Sequence, residues 1–387
     1  MRQPLSRILR DRLHIGLLLA TIALLAYGGL MVWSATATMT GHTALVQRQL
    51  QGVALGLLPL MVLWLLDYQV LKAWTGPLMV ALSLLIISPR IPGLGASVSG
   101  ATSWLQIGSI RLFQPSEPAK LLFIVVLAAV IAEYGGRIEK PRDVLKVAGF
   151  AAIPMALILM QPDLGTGLVF VAITFGMLLI GGLKGRWFVA LALAGVMLVG
   201  IVFGLNAVLV SALNKPDGVL IKSYQLDRLL VFIDPARDPK GAGYNLQQSK
   251  IAIGSGGLTG AGFGMGTQSR LNFIPERHTD FIFSVLGEQL GFVGAVILLG
   301  LYLALLASAL SVSGSSRDLF GALIAAGLIS MWTFQILENV GMTIGMMPIT
   351  GIPLPFMSYG SSFMVTNLAG VGMLLSIWSR RYGTTTT

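Results

Sequence analysis

The sequence predicts an all-α polytopic membrane protein with about ten transmembrane helices and a large extracytoplasmic loop between helices 7 and 8. Three observations predict it. The 387 residues have a mean hydropathy of +0.81, with 55% hydrophobic and only 11% charged residues, whereas a soluble domain carries roughly 25% charge. Apolar runs near membrane-crossing length recur along the whole chain. The basic residues fall unevenly between those runs, as the positive-inside rule requires. The chain has no cysteine, which excludes disulfides, thiolate metal sites and cysteine nucleophiles. Three scattered histidines, His14, His42 and His278, argue against a histidine-rich metal site. The net charge of +10 comes in small clusters rather than as a basic stripe interleaved with aromatics, so no nucleic-acid partner is expected.

Arg2, Arg7, Arg10 and Arg12 precede the first run, residues 15–36. No small-residue cleavage site follows it, so it is expected as a retained helix rather than a signal peptide. Further spans are expected at 48–66, which contains Pro59, and at 72–88, 118–134, 145–161, 164–182, 187–212, 281–311, 319–345 and 361–379. Ten spans put both termini on one side. With the termini in the cytoplasm, the inner segments hold fourteen basic residues, while the short outer segments hold only Arg48, Arg90 and Arg111. The expected organisation is a single membrane domain over 1–387 with a long periplasmic loop at about 213–280.

A loop of that length is usually functional or disordered. This one holds Tyr224, Phe232, Tyr244, Phe263 and Phe273, which argues against disorder. Between Gly254 and Gly266 it has seven glycines in thirteen residues, with no P-loop or dinucleotide fingerprint. The run reads either as a tight re-entrant turn that only glycine tolerates or as a backbone cradle for an anion. The turn is favoured.

Ionisable groups at membrane depth are costly and mark candidate sites. Asp280 ends the stretch Pro275-Glu-Arg-His-Thr-Asp280 and stands where an apolar helix begins. It reads equally as a helix cap or as a held, partly desolvated base. Glu117 and Lys120, three apart behind Pro115 and Pro118, form either a self-neutralising pair or an amine presented to a phosphate. Asp163 reads first as the cap of the next helix, and Arg228 first as a loop ion pair with Asp227 or Asp234. Glu288 and Glu338 lie inside apolar spans, as interhelix hydrogen bonds or cavity lining. Together these groups put carboxylates and cations on one membrane face, which suits a substrate with a lipid tail and a charged head.

The motifs Phe113-Gln-Pro-Ser-Glu-Pro-Ala-Lys120, Gln161-Pro-Asp-Leu-Gly-Thr166, Asp234-Pro-Ala-Arg-Asp-Pro-Lys-Gly-Ala-Gly-Tyr244, Gln248-Ser-Lys-Ile-Ala-Ile-Gly-Ser-Gly-Gly257, Pro275-Glu-Arg-His-Thr-Asp-Phe-Ile-Phe283 and Gly351-Ile-Pro-Leu-Pro-Phe-Met-Ser-Tyr-Gly360 resemble those of the SEDS family (shape, elongation, division, sporulation). The run Gly266-Thr-Gln-Ser-Arg-Leu-Asn-Phe273 is more similar to its RodA branch than to its division branch. The resemblance covers nearly the whole chain in order. Two positions depart from the pattern: Leu226 stands where many relatives carry a basic residue, and Ser361 replaces a second glycine after Ser-Tyr-Gly.

The resemblance implies a glycosyltransferase that polymerises lipid II, the undecaprenyl-diphosphate disaccharide pentapeptide, at the outer face of the bacterial plasma membrane during cell elongation. It implies a class B penicillin-binding protein transpeptidase as partner, besides membrane lipid. It makes Asp280 the expected catalytic base, with Lys120, Glu117, Asp163 and Arg228 around the substrate. Asp163 is expected to order its loop or help bind a divalent cation such as Mg; whether any cofactor is required stays open, and no metal ligand set is assigned. Closing a β-1,4 link inverts the donor's anomeric carbon, so one in-line displacement with one base suffices. The rivals are a flippase for the lipid-linked precursor, which buried charges and broken helices would also suit, and a non-catalytic scaffold.

Overall fold

The computed structural model describes residues 12–91, 93–98, 101–107, 110–161, 163–213 and 223–382. The first half contains helices α1 (Ile15–Thr36), α2 (His42–Leu65), α3 (Tyr68–Ala73) and α4 (Thr75–Ile87), strands β1 (Gly95–Val98), β2 (Ala101–Ile107) and β3 (Ile110–Phe113), then α5 (Ser116–Ala132), α6 (Pro141–Leu159) and α7 (Leu164–Ile180). The second half contains α8 (Gly185–Leu213), α9 (Ser223–Ile233), α10 (Ala242–Gly256), α11 (Thr267–Arg270), α12 (Ile282–Gly314), α13 (Leu319–Ile344) and α14 (Ser361–Ser379). Every one of the ten expected spans coincides with a helix, the third being α3 and α4 in succession. Six of these helices are long and apolar enough to cross a membrane: α1, α2, α8, α12, α13 and α14. The chain is a multi-pass membrane protein.

The all-α architecture gains one element that the hydropathy pattern hides. Strands β1, β2 and β3 form an antiparallel meander in sequence order between α4 and α5.

The bundle has two chemically different ends. At one, the Arg380 guanidinium donates to the carbonyls of Leu65 (2.6 Å) and Trp64 (3.1 Å) and lies 3.7 Å from the Asp67 carboxylate. Nearby, Tyr68 and Gln69 both donate to Asp318, the cap of α13. This end therefore ties α2, α3, α13 and α14 together by charge. The opposite end carries the sheet, α9 to α11 and the segment 345–360, and holds the candidate site. Between the ends, close helix packing depends on small residues: Gly327 of α13 lies against Ile124 of α5, and Gly56 of α2 against Leu368 of α14. Helix α8 stands apart, with Asn206 its only buried residue.

Helix α12 is broken. Gly291 has φ 62° and ψ −158°, a conformation closed to residues with a Cβ, and it divides the helix unequally. The glycine-rich run fills the break. The amides of Ala261 and Gly262 donate to the carbonyls of Glu288 and Gln289 (2.9 and 3.0 Å), and those of Phe292 and Val293 donate to Gly257 and Leu258 (2.9 and 3.0 Å). The run is thus a tight turn docked on a broken helix. The amides of Gly260, Ala261, Gly262, Gly264 and Met265 are engaged within the turn or against α12, which favours the turn over the anion cradle.

Candidate active site

Asp280 is the last polar residue before α12, yet its carboxylate makes no cap hydrogen bond to that helix. The capping explanation therefore fails, and the group is left for other work. Its backbone is clamped instead. The Asn339 side-chain amide of α13 donates to the carbonyls of both Asp280 and Ile352, each at 2.8 Å. The Ser358 hydroxyl donates to Thr279 O at 2.7 Å, and Tyr359 N donates to His278 O at 2.9 Å. Residues 278–280 and 350–359 thus run side by side as one braced unit.

Gly351, at φ +76°, is where the acid and a cation meet. A Cβ placed on it would lie 3.2 Å from Asp280 Oδ2 and 3.6 Å from Arg228 Nη1. Arg228 also donates to Thr350 O at 3.3 Å. Its expected loop pairing with Asp234 does not form: Asp234 caps a short turn through Ala236 N and faces Arg237 at 3.8 Å. The side chain of Asp227 lies outside the described residues. The Asp280 carboxyl is half-buried. Burial, reinforced by the Glu276 charge, pushes its pKa up to about 7; Arg228 opposes the rise and Glu338 adds to it.

Glu338 settles beneath this unit. It is buried on α13 and accepts a short hydrogen bond from the Thr350 hydroxyl. Glu288, the other in-span acid, plays a structural part: it accepts from Gln268 N (2.6 Å) and Ser269 N (3.0 Å), holding α11.

Asp163 does cap its helix, accepting from Thr166 N at 3.0 Å and the Thr166 hydroxyl at 2.8 Å. The cap sets the start of α7 beside the same segment, since a Cβ on Gly165 would lie 3.2 Å from Thr350 O. Glu117 and Lys120 pair at 2.9 Å, but not as an exposed surface pair: their side chains are 5% and 3% exposed. The Lys120 ammonium sits 5.4 Å from the Phe363 ring centroid at the start of α14. Asp280, Arg228 and the Asp163 cap therefore converge directly on residues 350–352, while the Lys120–Glu117 pair lies at the other end of that segment, where it enters α14.

Helix α13 links the two groups. Gly327 against Ile124 fixes the register of antiparallel α13 and α5. Advancing equally along both helices brings Gln335 level with Ser116. Buried polar atoms of Ser116, Glu117, Gln335, Glu338 and Asn339 have no protein partner. Buried polar groups require partners, and these atoms are left unpaired where α5 meets α13. Among the described residues, no group of three or more His, Asp or Glu gathers into a metal cage.

Nearby Arg277 is fully buried, donating to Ala35 O (2.7 Å) and Thr38 Oγ1 (3.1 Å); burial pushes its guanidinium pKa down. Burial likewise lowers His278, against the pull of Glu276. Sequence reasoning missed Asn339, Thr350 and Gly351 as parts of the site. The signal available was the Gly351–Gly360 motif, and the asparagine directly after Glu338.

Comparison with known proteins agrees with this geometry. The family model FTSW/RODA/SPOVE, described as cell cycle protein, matches residues 15–383. The peptidoglycan glycosyltransferase MrdB of Escherichia coli (strain K12) is 36% identical over 384 residues, covering 98% of this chain and 97% of its own. A solved peptidoglycan synthase complex that coordinates polymerization and crosslinking contains a chain superposing with a TM-score of 0.74 at 33% identity, over 95% of this chain and 98% of that one. The rod shape determining protein RodA of Thermus thermophilus superposes with a TM-score of 0.68 at 30% identity, over 95% and 97%. With the match running across nearly the full length and the motifs falling on one braced site, the chain belongs to the SEDS family of FtsW, RodA and SpoVE proteins.

Proposed function

We propose that this chain is a peptidoglycan glycosyltransferase that polymerises lipid II into β-1,4-linked strands, with Asp280 as general base. The observation that carries the reading is the Asp280 carboxyl: half-buried, free of capping duty, titrating near neutrality and set beside a guanidinium at Gly351. A base is most effective when its pKa lies near the working pH.

The acceptor sugar's 4-hydroxyl oxygen bonds to the donor's anomeric carbon, and its proton passes to Asp280. The bond from that carbon to the diphosphate breaks, and its electron pair leaves with undecaprenyl diphosphate. One displacement inverts the centre. Arg228, whose charge reaches the base, is assigned to the departing diphosphate, an effect worth about 2–4 kcal/mol of barrier. Lys120, buried beside Phe363 and held by Glu117, is assigned to the diphosphate as a second cation. Asp163 orders the start of α7 through its cap.

The site faces outward in this reading, with both termini cytoplasmic, because the opposite end of the bundle carries Arg380, Arg381, Lys184 and Arg317. The likeness to a synthase complex supports a class B penicillin-binding protein as partner. A flippase would draw on the interruption in α12, but that break is occupied by the chain's own turn.

The test is purified protein in detergent with lipid II and its transpeptidase partner, without any gradient. The parent chain makes glycan polymer, and Asp280→Asn, equally folded, makes about 100-fold less or lower still. Full activity in the variant would overturn the assignment of the base.

A further inference from the structure

We infer that the glycine-rich turn, residues 257–266, is a lipid-embedded element seated at the acyl–headgroup boundary of the leaflet on the Asp280 side. Its depth follows from the register of α1 against α12. Along this antiparallel pair, Ser308 Oγ lies 3.1 Å from a Cβ on Gly16, the Tyr27 hydroxyl donates to Gly294 O at 3.1 Å, and the Ser34 hydroxyl donates to Gln289 Oε1 at 2.6 Å. Gly291 and the turn docked on it are therefore level with Leu30–Trp33, inside the last two turns of α1. From Phe292 to Gly314 alone, α12 rises about 34 Å, a full hydrocarbon crossing. The break lies at the membrane boundary, not above it.

The turn's chemistry fits that depth. No charged residue occurs from Ile251 to Ser269, and Lys250 and Arg270 flank the stretch, as suits a segment lying between headgroups. Leu258 is 72% exposed, Met265 62% and Phe263 42%, apolar side chains largely open on their outer faces. Phe263 stacks on Trp33 of α1 at 5.9 Å with their planes 5° apart, which continues the lipid-facing surface of α1 onto the turn. Non-helical backbone survives in lipid only when its polar groups are paired. Here the four hydrogen bonds across the break are joined by Gly260 N to Gly256 O (2.8 Å), Met265 N to Gly262 O (3.0 Å) and Gly264 N to the Gln289 side chain (3.0 Å). A water-exposed loop has no need of such pairing. The depth of the turn selects bilayer lipid over a protein partner as its occupant.

The cysteine-free chain makes the test direct. Leu258→Cys and Met265→Cys are each spin-labelled in the full-length protein, reconstituted into phosphatidylethanolamine–phosphatidylglycerol vesicles. Power saturation with oxygen, which partitions into lipid, is compared with a water-soluble nickel chelate. Leu30→Cys on α1 supplies the lipid reference and Arg237→Cys the aqueous one. The expected result is oxygen-dominated relaxation at both turn positions, matching Leu30→Cys. Chelate-dominated relaxation as at Arg237→Cys overturns the inference, and so does shielding from both reagents, which would mean protein cover.

Discussion

Asp280 holds its proton more tightly in the folded chain, with a pKa of about 7, than in the unfolded chain, at about 3.9. The sign of the linkage follows. Its contribution to stability is largest below about pH 4 and is lost as the pH rises through the interval to about 7. A residue that cannot ionise avoids this loss, so Asp280→Asn should melt at the same temperature as the parent below about pH 4 and at a higher one at pH 8. Thermal unfolding in detergent at the two pH values checks this. The rate has the opposite pH dependence: polymerisation should rise with pH along a limb centred near 7. Arg228 restrains the aspartate's pKa, so Arg228→Met should lower the rate about tenfold or more and move that limb to higher pH. A rate loss with an unmoved limb would separate Arg228 from the base. The residues bearing charge at this site were legible in sequence because charge beside an apolar run is costly. Asn339 and Thr350 were not, because a neutral amide or hydroxyl in a helix or loop reveals its task only once its partners, Asp280 O and Glu338, are known.

Among the elements, helices could be read from apolar length alone, and a helix lies at each of the ten expected positions. What length could not supply was interruption. The span expected at 281–311 contains Gly291 among many glycines, and only its docking partner distinguishes it. A Cβ on Gly260 would collide with Gln289 O, at a φ of +79°, whereas Gly254 lies within α10 with open space around it. Gly260→Ala should therefore cost about 2 kcal/mol or more through strain and lost docking. Gly254→Ala should stabilise by up to about 1 kcal/mol through helix propensity. Paired melting curves decide between this account and one in which the glycines are mere flexible filler, for which both substitutions would behave alike. The sheet between α4 and α5 escaped notice for a related reason: its strands of four, seven and four residues are too short to stand out beside strongly apolar neighbours.

For the molecule as a whole, the uneven charge of its two ends yields an orientation that can be checked in cells. Arg237→Cys should react with a membrane-impermeant maleimide in intact cells, and Arg317→Cys only after permeabilisation; the reverse pattern would invert the topology. Both side chains are exposed. The buried guanidinium of Arg277 carries a consequence at this scale. It grips the carbonyl of Ala35 at the tip of the first helix and stands three positions ahead of Asp280 along the chain. Any leaning of that helix, such as a thicker or thinner bilayer imposes, would be passed through this contact toward the proposed base. Membrane thickness becomes a dial on the aspartate's aim, so the rate of strand growth is expected to vary with acyl-chain length even when the substrate supply is constant.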